Sequence, residues 1–281
     1  MKPLIQISDT HFGTERPPVV EALVRFVRDQ APGLIILSGD ITQRARRSQF
    51  RAARAFLDRL GDAPILAIPG NHDIPLFNPV ARIFWPYKNY RRELGGNLEP
   101  EFESEDVLAI ALNTTRRYRH IDGEISHQQI ERAASRLERA ETDQLRIVVT
   151  HQPVCVMKLE DKHNLLHGSG EAVRRWAAAG ADLILGGHIH LPYVCALHEN
   201  VKELPRRMWA IQAGTATSAR VRYGAENSVN LIRYRSGSNG KQCEIERWDY
   251  HPGLHCFGPV VSHALDCDRA PPQAIVRHPA E

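Results

Sequence analysis

Short apolar runs closed by a turn bearing Asp, Asn or His recur along the first 190 positions, and this rhythm restricts the fold more than any other feature. Leu4-Ile5-Gln6-Ile7 is followed by Ser8-Asp9-Thr10-His11, and Leu34–Leu37 by Ser38-Gly39-Asp40. Pro64–Ile68 leads into Pro69-Gly70-Asn71-His72-Asp73. Leu145–Val149 leads into Thr150-His151-Gln152-Pro153, and Asp182–Leu185 into Gly186-Gly187-His188-Ile189-His190. Runs this short and this continuously apolar read as strands covered on both faces. Between them, Val19–Arg28, Gln49–Leu60, Ser126–Glu138 and Glu171–Ala179 carry apolar residues at helical spacing. Strands alternating with amphipathic helices predict a parallel sheet with right-handed crossovers. Each loop after a strand then emerges at one edge of the sheet, the edge where ligands bind. Asp9, His11, Asp40, Asn71, His72, His151, His188 and His190 are therefore expected to converge.

The remaining chain gives weaker signals. Val107–Leu112 reads as a buried strand, and Ser126 with Gln129 forms a capping box at the start of the third helix. Residues 78–96, with Phe84, Trp85, Tyr87 and Tyr90, read as a loop with helical pieces beside the site. After His190 the helical period is lost. Segments near 192–197, 207–213, 229–235 and 242–249 read as strands, and Ser236-Gly237-Ser238-Asn239-Gly240 as a hairpin turn. These predict a second, largely antiparallel sheet packed against the first. Residues 1–250 are expected to form the domain, and 251–281 an aperiodic, partly ordered surface tail.

Composition narrows the class. The 281 residues are 42% hydrophobic and 25% charged, enough for a sizeable core in one large domain or two small ones. A net charge of +3 gives a weak overall field and argues against a dedicated nucleic-acid binder. The apolar runs fall short of the ~18 residues of a membrane span, so no membrane partner is expected. The amino terminus carries no long apolar stretch with a small-residue cleavage site. Five cysteines with no close pair read as reduced thiols. These features predict a cytoplasmic protein, with homodimerisation left open.

The converging residues form a mixed oxygen and nitrogen donor set without sulfur. Such a set suits divalent Mn, Fe or Zn and disfavours a structural zinc site. Seven ligands exceed the needs of one ion, so a carboxylate bridging two ions is the natural reading. Asp9-Thr10-His11, Gly39-Asp40, Gly70-Asn71-His72-Asp73, His151 and Gly187-His188-Ile189-His190 resemble, in this order, the signature of the calcineurin-like metallophosphoesterases. The motifs span residues 5 to about 190. The resemblance implies an α/β sandwich of two mixed β-sheets packed face to face and flanked by helices. It implies two divalent metal ions, the first held by Asp9, His11 and His190, the second by Asn71, His151 and His188, with Asp40 bridging. His72 would touch the phosphate or protonate the leaving group, and Asp73 would orient His72. Thr150 and Gln152 flank His151 where relatives commonly have His and Pro, a departure that leaves the ligand set whole.

The implied activity is phosphoester hydrolysis by attack of metal-activated hydroxide. Gln6–His11 with Gly39-Asp40-Ile41-Thr42 looks like the bacterial branch that includes cyclic-nucleotide phosphodiesterases, so the expected partner is a small phosphodiester. Arg116 and Arg44 are candidate substrate contacts, with Asn71 and His72, because guanidinium forks pair with phosphate. Arg46 and Arg47 read as solvated arginines at a helix start. Trp85, Tyr87 and Tyr90 either stack on a base or close the core, and His163 and His167 are candidates for the mouth of the site. The alternatives are a phosphomonoesterase, nucleotide-sugar pyrophosphatase or nuclease using the same site, or a non-catalytic scaffold.

Overall fold

The computed structural model describes residues 2–268 except 223, 238 and 239. β1 (Leu4–Ile7), β2 (Leu34–Leu37) and β3 (Ile65–Ala67) pair in parallel, joined by α1 (Pro17–Gln30) and α2 (Arg47–Leu57). α1 buries Val20, Leu23, Val24 and Val27, the stripe its spacing predicts, and ends at Ala31 in the left-handed region. Two short helices, α3 (Pro79–Phe84) and α4 (Lys88–Leu94), occupy the aromatic segment. β4 (Glu101–Glu103), which the sequence reading missed, is a three-residue edge strand antiparallel to β5 (Val107–Ala111). α5 (His127–Leu137) leads to β6 (Leu145–Val149), and α6 (Ser169–Ala179) to β7 (Leu183–Gly186). Ser126 caps α5: its hydroxyl accepts from the Gln129 amide, and the Gln129 side chain accepts in return from the Ser126 amide. The rest comprises β8 (Tyr193–Ala196), α7 (Leu197–Asn200), β9 (Trp209–Gln212), β10 (Ser228–Gly237), β11 (Gly240–His251) and β12 (Cys256–Cys267).

Two six-stranded mixed sheets result. One runs β12-β11-β10-β1-β2-β3, the other β4-β5-β6-β7-β9-β8. This corrects the expected partition. The strands after His190 do not build a sheet of their own: β8 and β9 extend the second sheet, and β10–β12 extend the first. Of the expected tail, 269–281 lie outside the described residues, and it is corrected over residues 256–267, which pair with β11 along its length as an edge strand. Its register has a bulge at Arg247/Trp248, and its side chains are mostly exposed, so no apolar run announces it. The hairpin between β10 and β11 closes at Gly237 and Gly240, and its tip, Ser238-Asn239, lies outside the described residues. All five cysteines are free thiols.

Helices cover both outer faces, giving four layers. Leu4, Leu34, Ile36, Leu66 and Ile68 meet Val107, Ala109, Ile147, Val149 and Leu185 between the sheets. α1 and α2 pack outside the first sheet, α5 and α6 outside the second. Gln6 is buried in this otherwise apolar seam. Its amide nitrogen donates to Ser38 Oγ at 3.1 Å and to the Gly186 carbonyl at 2.9 Å, and its amide oxygen accepts from Asn230 Nδ2 at 2.9 Å. A fully satisfied amide here fastens the end of β1 to the end of β7, and so sets one sheet's rim against the other's.

Candidate metal centre

The seven candidate ligands meet at one rim, but the rim straddles two sheets. Asp9, His11, Asp40 and Asn71 follow β1, β2 and β3; His151, His188 and His190 follow β6 and β7. Backbone hydrogen bonds weave the turns together: Asp9 N donates to the Gly39 carbonyl, His11 N to the Asp40 carbonyl, and Gly187 N to the His151 carbonyl. Asp9, His11, Asp40, His188 and His190 all have positive φ, between 44° and 77°, and supply five of the nine such non-glycine residues in the described chain. Left-handed backbone is costly for side chains with a Cβ, and its concentration here is characteristic of a functional site.

The donor atoms fall into two groups joined by Asp40. In the first, His190 Nε2 lies 3.3 Å from Asp9 Oδ1 and 2.9 Å from His11 Nε2. In the second, Asn71 Oδ1 lies 3.0 Å from His188 Nδ1 and 3.2 Å from His151 Nε2. Asp40 reaches both, with Oδ2 3.7 Å from His11 Nε2 and Oδ1 3.3 Å from His151 Nε2. One ligand atom from each of Asp9, His11 and His190 lies within 4.8 Å of the others, and the same holds for Asp40, His151 and His188.

The hydrogen bonds at the back of the site show that these atoms suit cations. The Nδ1–H of His190 donates to the Arg220 carbonyl at 2.7 Å, so in the neutral ring Nε2 presents a lone pair to His11 and Asp9. The Nδ1–H of His151 donates to the Ser38 carbonyl at 2.8 Å, which turns a second lone pair toward Asp40 and the Asn71 oxygen. The Asn71 amide nitrogen donates to the His120 carbonyl at 3.4 Å, leaving its oxygen as the inward atom. With these rings neutral, acceptor would face acceptor at about 3 Å, an arrangement that cations between them relieve and that protons must relieve in their absence. His11 Nδ1 and His188 Nε2 are buried with no hydrogen-bond partner. Carbonyl partners that lock a ligand's tautomer are the usual second layer of a metal site.

Without ions, the cluster must hold protons instead. Burial pulls His11 and His188 down to about 3. Burial also pulls at His151, but the Asp40 carboxylate outweighs it and raises that imidazole to about 9. Burial raises Asp9, yet the charge and hydrogen bond of His190 bring it down to about 2. At pH 7 the ion-free His151 is therefore an imidazolium that metal must deprotonate. Loading the apoprotein with Mn, Fe or Zn at pH 7 is expected to release at least one proton per chain, read with an indicator dye in weak buffer. Metal affinity should rise about tenfold per pH unit per displaced proton up to pH 9, and loading should raise the Tm. Metal uptake without proton release would contradict this picture.

Two other expectations need correction. Asp73 does not orient His72. Its carboxylate is fully buried and accepts from the backbone N–H of Ile41, Thr42 and Gly70 and from the Thr42 hydroxyl, at 2.8–3.0 Å. It staples the Asp40 turn to the Asn71 turn, with burial and the Asp40 charge pushing it up to about 7 against those donors. His72 is oriented by the Gln43 carbonyl, which accepts from its Nδ1–H at 3.0 Å. Arg116 is no free substrate contact: its guanidinium donates to the Asn113 and Thr115 carbonyls and to Gln129 Oε1. Arg44 stays exposed, its guanidinium 4.7 Å from the centre of the Phe77 ring. Arg46 and Arg47 stand at the start of α2 as expected. Tyr90 closes the core against Phe50, Tyr87 bonds Thr115, and Trp85 is exposed. His163 bonds the Glu160 carbonyl and His167 pairs with Asp122.

The sequence reading missed Arg220. Its backbone carbonyl fixes His190, and its Nη1 donates to His72 Nε2 at 3.2 Å and to Gln43 Oε1 at 3.3 Å. It lies in the irregular stretch between β9 and β10, where neither periodicity nor motif marks it.

This geometry has known counterparts. The sequence profile of the calcineurin-like phosphoesterases matches residues 2–192, and the chain belongs to that family. It is a phosphoester hydrolase of a class that works through a pair of metal ions. Over 211 residues it is 25% identical to a cyanobacterial protein of Synechococcus named a probable cyclic nucleotide phosphodiesterase, covering 68% of this chain and 74% of that one. Its fold matches a purple acid phosphatase from yellow lupin seeds with a TM-score of 0.67 at 13% identity, covering 94% of this chain. The chain spans about half (53%) of the lupin protein's length. It also matches a dimetal phosphatase from Danio rerio with a TM-score of 0.65 at 13% identity, over 95% of this chain and 99% of that one. No helix among the described residues is long and apolar enough to cross a membrane.

Proposed function

We propose that the chain is a phosphodiesterase for small diesters, cyclic nucleotides foremost, working with two ions chosen from Mn, Fe and Zn. The observation that carries this reading is Asp40, whose two carboxylate oxygens reach the two donor groups on opposite sides. Bound there, two cations would supply Lewis acidity and lower the pKa of a water to near neutrality. Asp9, His11 and His190 would hold one, Asn71, His151 and His188 the other, and Asp40 both. His72 would contribute Nε2, held toward the site because Nδ1–H is engaged by Gln43. Protonated at Nε2, with the bond from Arg220 given up, it would donate to a phosphoryl oxygen or pass that proton to the departing alkoxide. The Arg220 guanidinium beside that nitrogen would pair with the phosphate.

Among the described residues Arg220 is the guanidinium that bonds His72, while Arg116 is turned into the scaffold and Arg44 stacks on Phe77. Support for a diester comes from the name carried by the Synechococcus relative. The test compares bis(p-nitrophenyl) phosphate, p-nitrophenyl phosphate and a panel of cyclic nucleotides on metal-loaded protein. Preference for the monoester, or no turnover of any diester with metal bound, would overturn the substrate reading. His72→Ala is expected to lower diester kcat by about a hundredfold while metal content stays unchanged, since general acid–base and oxyanion contacts are worth that much.

A further inference from the structure

The rim of the metal centre is greasy as well as basic. Nine of the thirteen exposed large hydrophobic side chains among the described residues lie in segments 77–85, 118–121 and 157–159. These segments follow β3, β5 and β6, two of which, β3 and β6, deliver metal ligands at their ends. The first two segments form one fastened surface. Arg82, buried, donates through Nε to the Arg117 carbonyl at 2.7 Å and through its guanidinium to the Arg119 carbonyl, and Arg117 Nη1 donates to the Ile83 carbonyl at 2.9 Å. The Asn71–His120 hydrogen bond ties that surface to the metal centre. Phe77 stands 76% exposed, Phe84 66% and Leu159 79%. Between α3 and α4 a groove of about 440 Å³ is walled by Phe84, Trp85, Pro86 and Tyr87, with Lys88 and Arg91 completing its lining.

Apolar tips this exposed and this concentrated mark an interaction surface. The choice of partner follows from what is interleaved with them. Arg44 lies over Phe77, and Lys88 and Arg91 share the groove with Phe84 and Trp85. Aromatic side chains beside lysine and arginine match an anionic lipid surface, where rings enter the headgroup region and cations meet phosphates. Face to face with a second copy, Arg44, Lys88 and Arg91 would meet like charges, whereas lipid phosphates neutralise them. We propose that this rim docks the protein on anionic phospholipid bilayers. Such docking departs from the expectation of no membrane partner, which rested on the lack of a membrane-spanning run, and docking needs none.

The test is co-sedimentation of the full, metal-loaded chain with phosphatidylcholine vesicles and with vesicles also containing phosphatidylglycerol. Binding to the mixed vesicles, weakened by salt, is expected. The double change Phe84→Ser/Trp85→Ser should lower partitioning about tenfold or more, from lost burial of two aromatic side chains. Lys88→Glu/Arg91→Glu should remove the preference for anionic lipid. Both variants should keep the wild-type Tm and the wild-type turnover of soluble bis(p-nitrophenyl) phosphate, since none of these residues touches the metal centre. No binding to the mixed vesicles would overturn the proposal. So would variants that bind like the wild type, or a wild-type dimer that Phe84→Ser/Trp85→Ser dissociates. Binding is read without turnover, so failure of the phosphodiesterase reading would not be mistaken for failure of docking.

Discussion

Replacing Asp40 with Asn is expected to lower phosphoester turnover by about a thousandfold or more, well beyond the 10–100-fold typical of losses one layer out from the metal. The physical reason is position. Asp40 is buried, its oxygens are the point where the two donor groups meet, and the charges around it hold its carboxyl well below the usual carboxylate range. Burial alone would raise it, and His151 and His72 more than reverse that. An amide keeps the shape, and its oxygen still accepts from His72 N, a bond of 2.8 Å in the wild type. The fold should therefore survive, with circular dichroism and Tm in the apo state little changed, while metal per chain falls. A metal-replete, active Asp40→Asn enzyme would show that Asp40 does not join two ions.

Gly70→Ala is expected to be severely damaging for a single added methyl. A Cβ at Gly70 would sit 2.1 Å from both the amide nitrogen and Oδ1 of Asp40, and 2.8 Å from its Cα. Two of these are backbone atoms, held by Asp73 through Ile41, Thr42 and Gly70 itself, so the contact cannot be relieved by turning a side chain. Overpacking against fixed backbone costs about 3 kcal/mol or more, and any relief must displace Asp40. Urea denaturation should show that loss, and the surviving folded protein should bind metal poorly. Gly96→Ala, with nothing within 4 Å, is the control and should change stability by no more than about 0.5 kcal/mol. A Gly70→Ala protein with wild-type stability and activity would mean the Asp40 and Asn71 turns are not so closely nested.

Most of the architecture is legible in the sequence. The apolar runs ending at Asp9, Asp40, Asn71, His151 and His188 are strands, and the stripes of α1, α2, α5 and α6 face the sheets. The failures have physical causes. β12 went unread because an edge strand with exposed side chains lacks the apolar pattern on which strand reading depends. β4 went unread because three residues carry no period. The allocation of late strands to sheets was misjudged because pairing is a long-range event: β10 pairs antiparallel to β1, over two hundred positions away, and β9 pairs parallel to β7. Asp73 was given the wrong task because adjacency to His72 in sequence does not place two side chains in contact, and this carboxylate points back into the Asp40 turn.

The sequence by itself determined the inventory of the centre. Strand periodicity reports burial and direction locally, so it marks which Asp, Asn and His residues stand at strand ends, and their chemistry names the kind of ion they suit. Tertiary structure alone decided how those residues are aimed. The carbonyls of Ser38, Gln43 and Arg220 select the tautomers of His151, His72 and His190, and the Arg220 guanidinium reaches His72, across 29 to 148 positions of chain. The Gln6 amide sets one sheet's rim against the other's. A hydrogen bond to a backbone carbonyl leaves no trace in residue identity, because every residue has one. Only the packing of two sheets brings the right carbonyl to the back of each imidazole.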